Sequence, residues 1–384
     1  MDTKTLRLQN DFIPEMKRFA TLFLQMAPAP VIMEAIGNIP DWPASEGQER
    51  LYSALCRLYT YPLSLKYVQY FNKLVTRQIE DSGHYWQEDL AELILGFSCE
   101  GCVQLDGDCF AGFLLPKSSG QGSDVICCGV QRAHNLVGMR TWGAGMLWCE
   151  IFFNCGELFK DMCVLELGSG VGMTGLVAAR SHGPPASVIM TDFTHDVLQN
   201  LQRNIDLDAE TGGERSTFVH SCKLDWNDVC KGTWRESITA NAQHQRCVDA
   251  ITDFDVLLAA DCTYSEDIAT ALLATIEVFL TQNPRENACA LVASCIRSME
   301  TWMHFVHSVR ASAVLDHYHI SDWGHSFGGL GSAGVGNPSG RAQFFCEDRE
   351  RIRMYCLVLK GRPLPSFLTA NAVDSSATYF ETEV

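Results

Sequence analysis

Apolar residues recur every three to four positions through the first hundred residues. Phe19, Leu22, Phe23 and Met26 form one stripe, Leu51, Leu55 and Leu58 a second, and Val68, Phe71 and Val75 a third after Pro62. That spacing lines one face of a helix. Leu90, Leu93 and Leu95 mark a further short helix, and Pro28, Pro30, Pro40 and Pro43 break the first helix from the second. From about residue 103 the pattern changes. Segments 110–115 and 125–130 are continuous apolar runs joined by Lys117-Ser118-Ser119-Gly120-Gln121-Gly122, which predicts a β-hairpin. Beyond residue 162 strands and helices alternate, with strands expected at 162–167, 188–191, 217–220, 254–260, 288–294, 313–319 and 352–359. Near-continuous apolar strands separated by helices predict a doubly wound α/β fold, a parallel sheet covered on both faces. The last two strands have no helix between them, only the glycine-rich stretch 324–340, so one antiparallel edge strand is expected. The tail after Pro365 is polar and reads as loose.

Composition narrows the function. Hydrophobic residues make up 47% of the 384, enough for a large core. The 29 basic and 46 acidic residues leave a net charge of −17. A surface this acidic repels phosphate backbones and suits a basic protein partner, so no nucleic acid is expected. Residues 1–20 mix charged with apolar side chains, unlike a signal peptide, and no apolar stretch is long enough for a membrane span. Seventeen scattered cysteines complete the reading of a reduced, soluble, cytoplasmic protein. Cys99-Glu100-Gly101-Cys102 has zinc-knuckle spacing, but no second pair repeats it. These thiols are read as buried or idle, with no metal expected.

The sharpest motif is Glu166-Leu167-Gly168-Ser169-Gly170-Val171-Gly172, which closes one expected strand and opens a helix. Its glycines let the backbone turn tightly and approach a ligand. The dinucleotide fingerprint would put its third glycine at Met173; here it falls at Gly172. A carboxylate at Glu166 suits an amino-acid ammonium or a sulfonium better than a pyrophosphate. Asp192 ends the next strand at the distance where an acid meets ribose hydroxyls. Asp225 and Trp226 follow the third strand: Asp225 either accepts from an adenine amino group or caps a helix, and Trp226 either stacks on the ring or packs in the core. Ala260, Asp261 and Tyr264 lie in the loop after the fourth strand, where a carboxylate and a phenol three residues apart can both face a cofactor.

Taken together, Val164-Leu165-Glu166-Leu167-Gly168-Ser169-Gly170, Asp192, Leu224-Asp225-Trp226 and Asp261-x-x-Tyr264 resemble the seven-strand, S-adenosylmethionine-dependent protein methyltransferases that carry an Asp-x-x-Tyr motif. Thr141-Trp142 resembles that family's Thr-Trp-acid-Ala segment beside the cofactor, with Gly143 in place of the acid. Within the group the chain looks most like the elongation factor 2 lysine methyltransferases, through segment 61–67 and Leu114-Leu115-Pro116. The likeness covers roughly residues 59–359; the stretch 324–340 and the tail depart from it.

The resemblance implies a Rossmann-like seven-strand sheet and four regions: a helical N-terminal extension (1–102), a β-hairpin and entry segment (103–140), the methyltransferase domain (141–362) and a flexible tail (363–384). It implies S-adenosyl-L-methionine held by Trp142, Glu166, Gly168, Ser169, Gly170, Gly172, Asp192, Asp225, Trp226 and Ala260. Catalysis is expected at Asp261, positioning the acceptor amine or taking its proton through water, and at Tyr264. The expected partner is a protein substrate, elongation factor 2. Rival readings are a methyltransferase acting on another protein or a small molecule, and a non-catalytic scaffold. A nucleic-acid methyltransferase would typically carry prolines where Cys262 and Thr263 stand.

Overall fold

A computed structural model describes residues 12–98, 109–116, 123–130, 137–211, 216–238, 245–320, 344–346, 348–368 and 373–374. Cys99, Cys102, the linker 117–122 and the glycine-rich stretch 324–340 lie outside these residues. The chain divides into two compact units, 1–134 with 206–213 and 135–205 with 214–384.

The first unit holds five helices, α1 (Pro14–Leu24), α2 (Ala29–Gly37), α3 (Ser45–Leu58), α4 (Leu65–Ser82) and α5 (Glu88–Ser98), and the antiparallel hairpin β1 (Cys109–Pro116) and β2 (Ser123–Val130). The stripes read from the sequence become its core: Phe19, Phe23, Leu51, Leu55, Leu58, Phe71 and Val75 are all buried, with Phe23 edge-on to Phe71 at 4.7 Å between ring centroids. Between the first two expected helices the structure places an additional one, α2. Pro28 and Pro30 start it rather than keep the segment in a loop, because a helix's first turn needs no N–H from proline. Ile32, Ala35 and Ile36 give it a buried face. Ser64 caps α4 by accepting from the Tyr67 amide, and left-handed Gly83 ends it.

The second unit runs α6 (Gly143–Cys155), β3 (Cys163–Leu167), α7 (Met173–Ala179), β4 (Ser187–Asp192), α8 (His195–Thr211, of which 206–211 count with the first unit), β5 (Phe218–Lys223), α9 (Trp226–Cys230), α10 (Trp234–Ile238), α11 (Gln245–Thr252), β6 (Val256–Ala260), α12 (Glu266–Gln282), β7 (Cys289–Cys295), α13 (Met299–Ala311), β8 (Leu315–Ile320), β9 (Ile352–Leu359) and β10 (Val373–Asp374). One sheet collects the strands in the order β10-β8-β9-β7-β6-β3-β4-β5. From β5 to β7 every pairing is parallel; β9 is antiparallel to both β7 and β8, and β10 is antiparallel to β8 at the edge. This is the expected Rossmann-like α/β fold with antiparallel pairing toward one edge. The strand at 352–359 enters between β7 and β8 rather than lying outermost. Its near-continuous burial fits an interior position.

Strand order reverses at β3, which pairs with β4 on one side and β6 on the other: Val164 sits opposite both Val188 and Val256. Chains leaving β3 and β6 therefore diverge and open a crevice beyond their carboxyl ends, the usual ligand position in such sheets. No described helix is long and apolar enough to cross a membrane. Among the described residues, no group of three or more His, Cys, Asp or Glu is placed to hold a metal ion.

Candidate active site

A cavity of about 280 Å³ fills that crevice. Its wall brings together Trp142, Glu166, Gly168, Ser169, Gly170, Asp192, Asp225, Trp226, Ala260, Asp261 and Tyr264 from five stretches of chain. Gly172 lies one step back, as the left-handed residue that starts α7.

The floor is the turn after β3. Gly168 and Gly170 both have positive φ, 67° and 54°. A Cβ on Gly168 would stand 2.7 Å from Cys262 Sγ, and one on Gly170 would stand 2.9 Å from the Gly138 carbonyl oxygen. Only glycine leaves the backbone bare and close at both places. Ser169 staples the turn to β4: its amide donates to the Thr191 carbonyl at 2.8 Å and its hydroxyl accepts from the Thr191 amide at 3.1 Å. The Cys262 thiol packs beneath, donating to the Leu167 and Ala260 carbonyls, and burial holds it well above the usual thiol range.

Two acids face this floor, Glu166 buried and Asp192 half-buried. Glu166 is 3% exposed, and its Oε2 has no hydrogen-bond partner among the described residues. Burial pushes its carboxyl up to about 7; Ser169, Thr174 and the Gly175 amide oppose the rise, and the charge of Asp192 adds to it. Burial also raises Asp192 above the ordinary carboxylate range, against the pull of three backbone amides. Its Oδ2 accepts from the Gly170 amide at 3.1 Å and its Oδ1 from Phe193 at 2.8 Å and Thr194 at 3.5 Å. Two carboxyl groups on one cavity wall are complementary to a cation, which would favour their ionised forms.

Asp225 caps α9, its Oδ1 accepting from the Asn227 amide at 2.9 Å. Capping and lining the cavity are compatible, because only one oxygen is engaged by the cap. Trp226 both lines the cavity and packs on the main core. At the opposite rim, Trp142 donates its indole N–H to the Val137 carbonyl at 3.0 Å, and the Arg297 guanidinium lies over its ring at 4.2 Å. Tyr264 stands at the mouth, half exposed. Asp261 also lines the cavity, its Oδ2 accepting from the Ala144 amide and its Oδ1 from the Cys295 amide, both at 2.7 Å.

Sequence reading missed Gly138, Arg140 and Phe193, which also line the cavity. Phe193 follows Asp192 directly, and Arg140 lies two residues before Trp142, so adjacency to a motif was their one local signal. Gly138 had none: its place is set by packing against Val197 and Gly170.

Comparison with known proteins bears on this geometry. Residues 130–311 match the profile of a lysine methyltransferase family, and the matched segment runs through every cavity element just described. The match supports an S-adenosylmethionine-dependent lysine methyltransferase domain in this segment. Bovine protein-lysine N-methyltransferase EEF2KMT is 26% identical over 275 residues, covering 68% of this chain and 77% of the bovine one. A putative uncharacterized protein of Dictyostelium discoideum is 29% identical over 188 residues, 46% of this chain; the chain spans half of that relative's length. Among solved structures, an O-methyltransferase from Bacillus cereus in complex with SAH aligns over 59% of this chain and 84% of its own, at 13% identity and a TM-score of 0.32.

Proposed function

We propose that the protein methylates a lysine side chain of another protein, translation elongation factor 2, using S-adenosylmethionine. The observation that carries the cofactor half is the pair of acids at the switch point of the sheet, half-buried Asp192 and buried Glu166 with its unpartnered Oε2. A group bearing an ammonium and a sulfonium would relieve both. The glycine turn fits the same group, since a side chain at Gly168 or Gly170 would collide with Cys262 or the Gly138 backbone and displace the floor.

When bound, S-adenosylmethionine supplies a methyl on a positive sulfur that a neutral amine displaces directly. The chain's own residues hold and align. Glu166 takes the ammonium through Oε2. Asp192 keeps the glycine turn in place through Oδ2 and accepts from ribose hydroxyls on its remaining lone pairs. The oxygen of Asp225 not engaged in capping accepts from the adenine amino group, and Trp226 flanks the ring. Gly168, Ser169, Gly170 and Gly172 shape the backbone floor, and Ala260 closes the wall beside it. Arg140 offers a positive charge to the amino-acid carboxylate.

A lysine amine with a reference pKa of about 10.4 must shed its proton, here to solvent water at the open mouth, before attack. Tyr264 lines the cavity and is half exposed, which supports a role in accepting a hydrogen bond from the amine and orienting its lone pair. The aromatic face of Tyr264 suits a cationic product.

Elongation factor 2 is supported by the relatives. The bovine and mouse EEF2KMT proteins are lysine methyltransferases by name, and their similarity extends over 68% and 70% of this chain, well beyond residues 130–311. Fold alone does not choose a substrate, so likeness outside the cofactor domain weighs more here than another cofactor motif. The net charge of −17 favours a basic surface on the partner. Purified protein incubated with unmethylated elongation factor 2 and S-adenosylmethionine is expected to place methyl groups on a discrete lysine, located by mass spectrometry. Unmodified factor beside strong labelling of another protein in extract would reject this substrate and leave the lysine methyltransferase reading standing.

A further inference from the structure

We infer that Asp261 is a positioning residue: its carboxylate pins the start of α6 to the ends of β6 and β7 and so sets where Trp142 and Tyr264 stand. The inference rests on the methyl-transfer reading of this cavity. It assigns Asp261 a different task from handling the acceptor's proton.

Three backbone segments converge on this residue. The Asp261 amide donates to the Ala293 carbonyl at 2.8 Å, extending the β6–β7 ladder one residue past its last pair. Its Oδ1 accepts from Cys295, the last residue of β7, and its Oδ2 from Ala144, the second residue of α6 and 117 positions distant in sequence. Its backbone is left-handed, with φ 56°, a conformation Asp tolerates better than most residues.

The partner at α6 needs this anion. Helix N-termini leave amide donors unsatisfied and favour negative charge. The N-cap of α6 is Trp142, which provides no side-chain cap, and its first turn has no acid. Gly143 occupies the position where the resembled family carries one. Asp261 therefore supplies from across the sheet the charge that the helix lacks locally.

Both carboxylate oxygens are committed to backbone amides, so taking a proton from an acceptor amine would weaken one of these bonds. What depends on Asp261 is geometry. Trp142 immediately precedes the pinned helix, Tyr264 lies three residues after the pin, and Arg297 follows Cys295 by two residues and lies over the Trp142 ring. One carboxylate thus ties together the whole rim where acceptor and donor must meet.

The test compares Asp261→Ala and Asp261→Asn with the natural protein, by hydrogen exchange, S-adenosylhomocysteine binding and the pH profile of methyl transfer to protein in extract. Asparagine keeps one acceptor oxygen and loses the other. In Asp261→Ala the Ala144 and Cys295 amides are expected to exchange at least about tenfold faster and the cofactor product to bind about tenfold more weakly, the scale of lost buried hydrogen bonds. Asp261→Asn is expected to fall between, with the rate lower at every pH but its acidic limb at an unchanged midpoint. Unchanged exchange at both amides in Asp261→Ala would overturn the inference. So would an Asp261→Asn protein with natural exchange and binding whose acidic limb has vanished, since that marks a proton acceptor. If even the natural protein labels nothing, the methyl-transfer reading fails, and the exchange measurement still decides whether Asp261 is the pin.

Discussion

Glu166→Gln is expected to weaken S-adenosylmethionine binding by about a hundredfold at pH 8 while making the cofactor-free protein more stable. The first effect is the loss of a buried, charge-assisted contact to the ammonium, on the order of 2–3 kcal/mol. The second follows from linkage. The carboxyl has a reference value of 4.5 and is pushed up to about 7 by burial in the folded chain. Between these values the folded state keeps a proton that the unfolded state has released, so stability falls as pH rises through this window. The penalty is complete above pH 7 and is worth roughly 3 kcal/mol from the shift. Glutamine cannot ionise and escapes it. The variant's stability advantage should therefore be largest at pH 8 and close by pH 4.5. Cofactor affinity of the natural protein should rise between pH 6 and 8, as Glu166 ionises to meet the ammonium, and the slope should flatten in Glu166→Gln. Calorimetric titrations and denaturant melts across this range check both signs. Equal affinities at pH 8 would remove Glu166 from the site.

Gly170→Arg is expected to abolish detectable cofactor binding, a loss of more than about a hundredfold on the affinity scale. Two features of the turn combine. Gly170 has φ 54°, which a side chain makes costly, and its would-be Cβ meets the Gly138 carbonyl oxygen at 2.9 Å, a backbone atom with little freedom to yield. The guanidinium would also reach into the cavity. Its charge would meet Glu166 and Asp192, replacing the cation the site is built to receive. A folded variant, judged by circular dichroism, that shows no calorimetric heat with S-adenosylhomocysteine is the expected result. Binding within a few-fold of the natural protein would mean that the cavity beyond β3 is not where the cofactor lies.

What was legible in the sequence was local. The turn from Glu166 to Gly172 could be read because its glycines, its acid and its flanking apolar strand are adjacent, and the structure places them where a strand hands over to α7. The stripes at Phe19, Leu51 and Phe71 needed only helical periodicity. Features set by distant pairing were not legible. Nothing local says that 352–359 inserts between β7 and β8, since register and neighbour choice are decided by the whole sheet. The bonds from Asp261 to Ala144 and Cys295 join residues 117 and 34 positions apart, so the motif marked Asp261 as notable without indicating what it touches. Asp225 shows a third case: helix cap and cavity lining were posed as alternatives, yet one carboxylate has an oxygen for each.

The central claim, that this chain moves a methyl group from S-adenosylmethionine to a protein lysine, is tested most directly by following the label. Purified protein is incubated with cell extract and methyl-labelled S-adenosylmethionine, the products are separated into protein, nucleic acid and small molecules, and the protein fraction is hydrolysed to amino acids. The account predicts label in protein, recovered as methyl-lysine, and none with Gly170→Arg. Label recovered in nucleic acid or a small molecule, or in protein at a residue other than lysine, would contradict it.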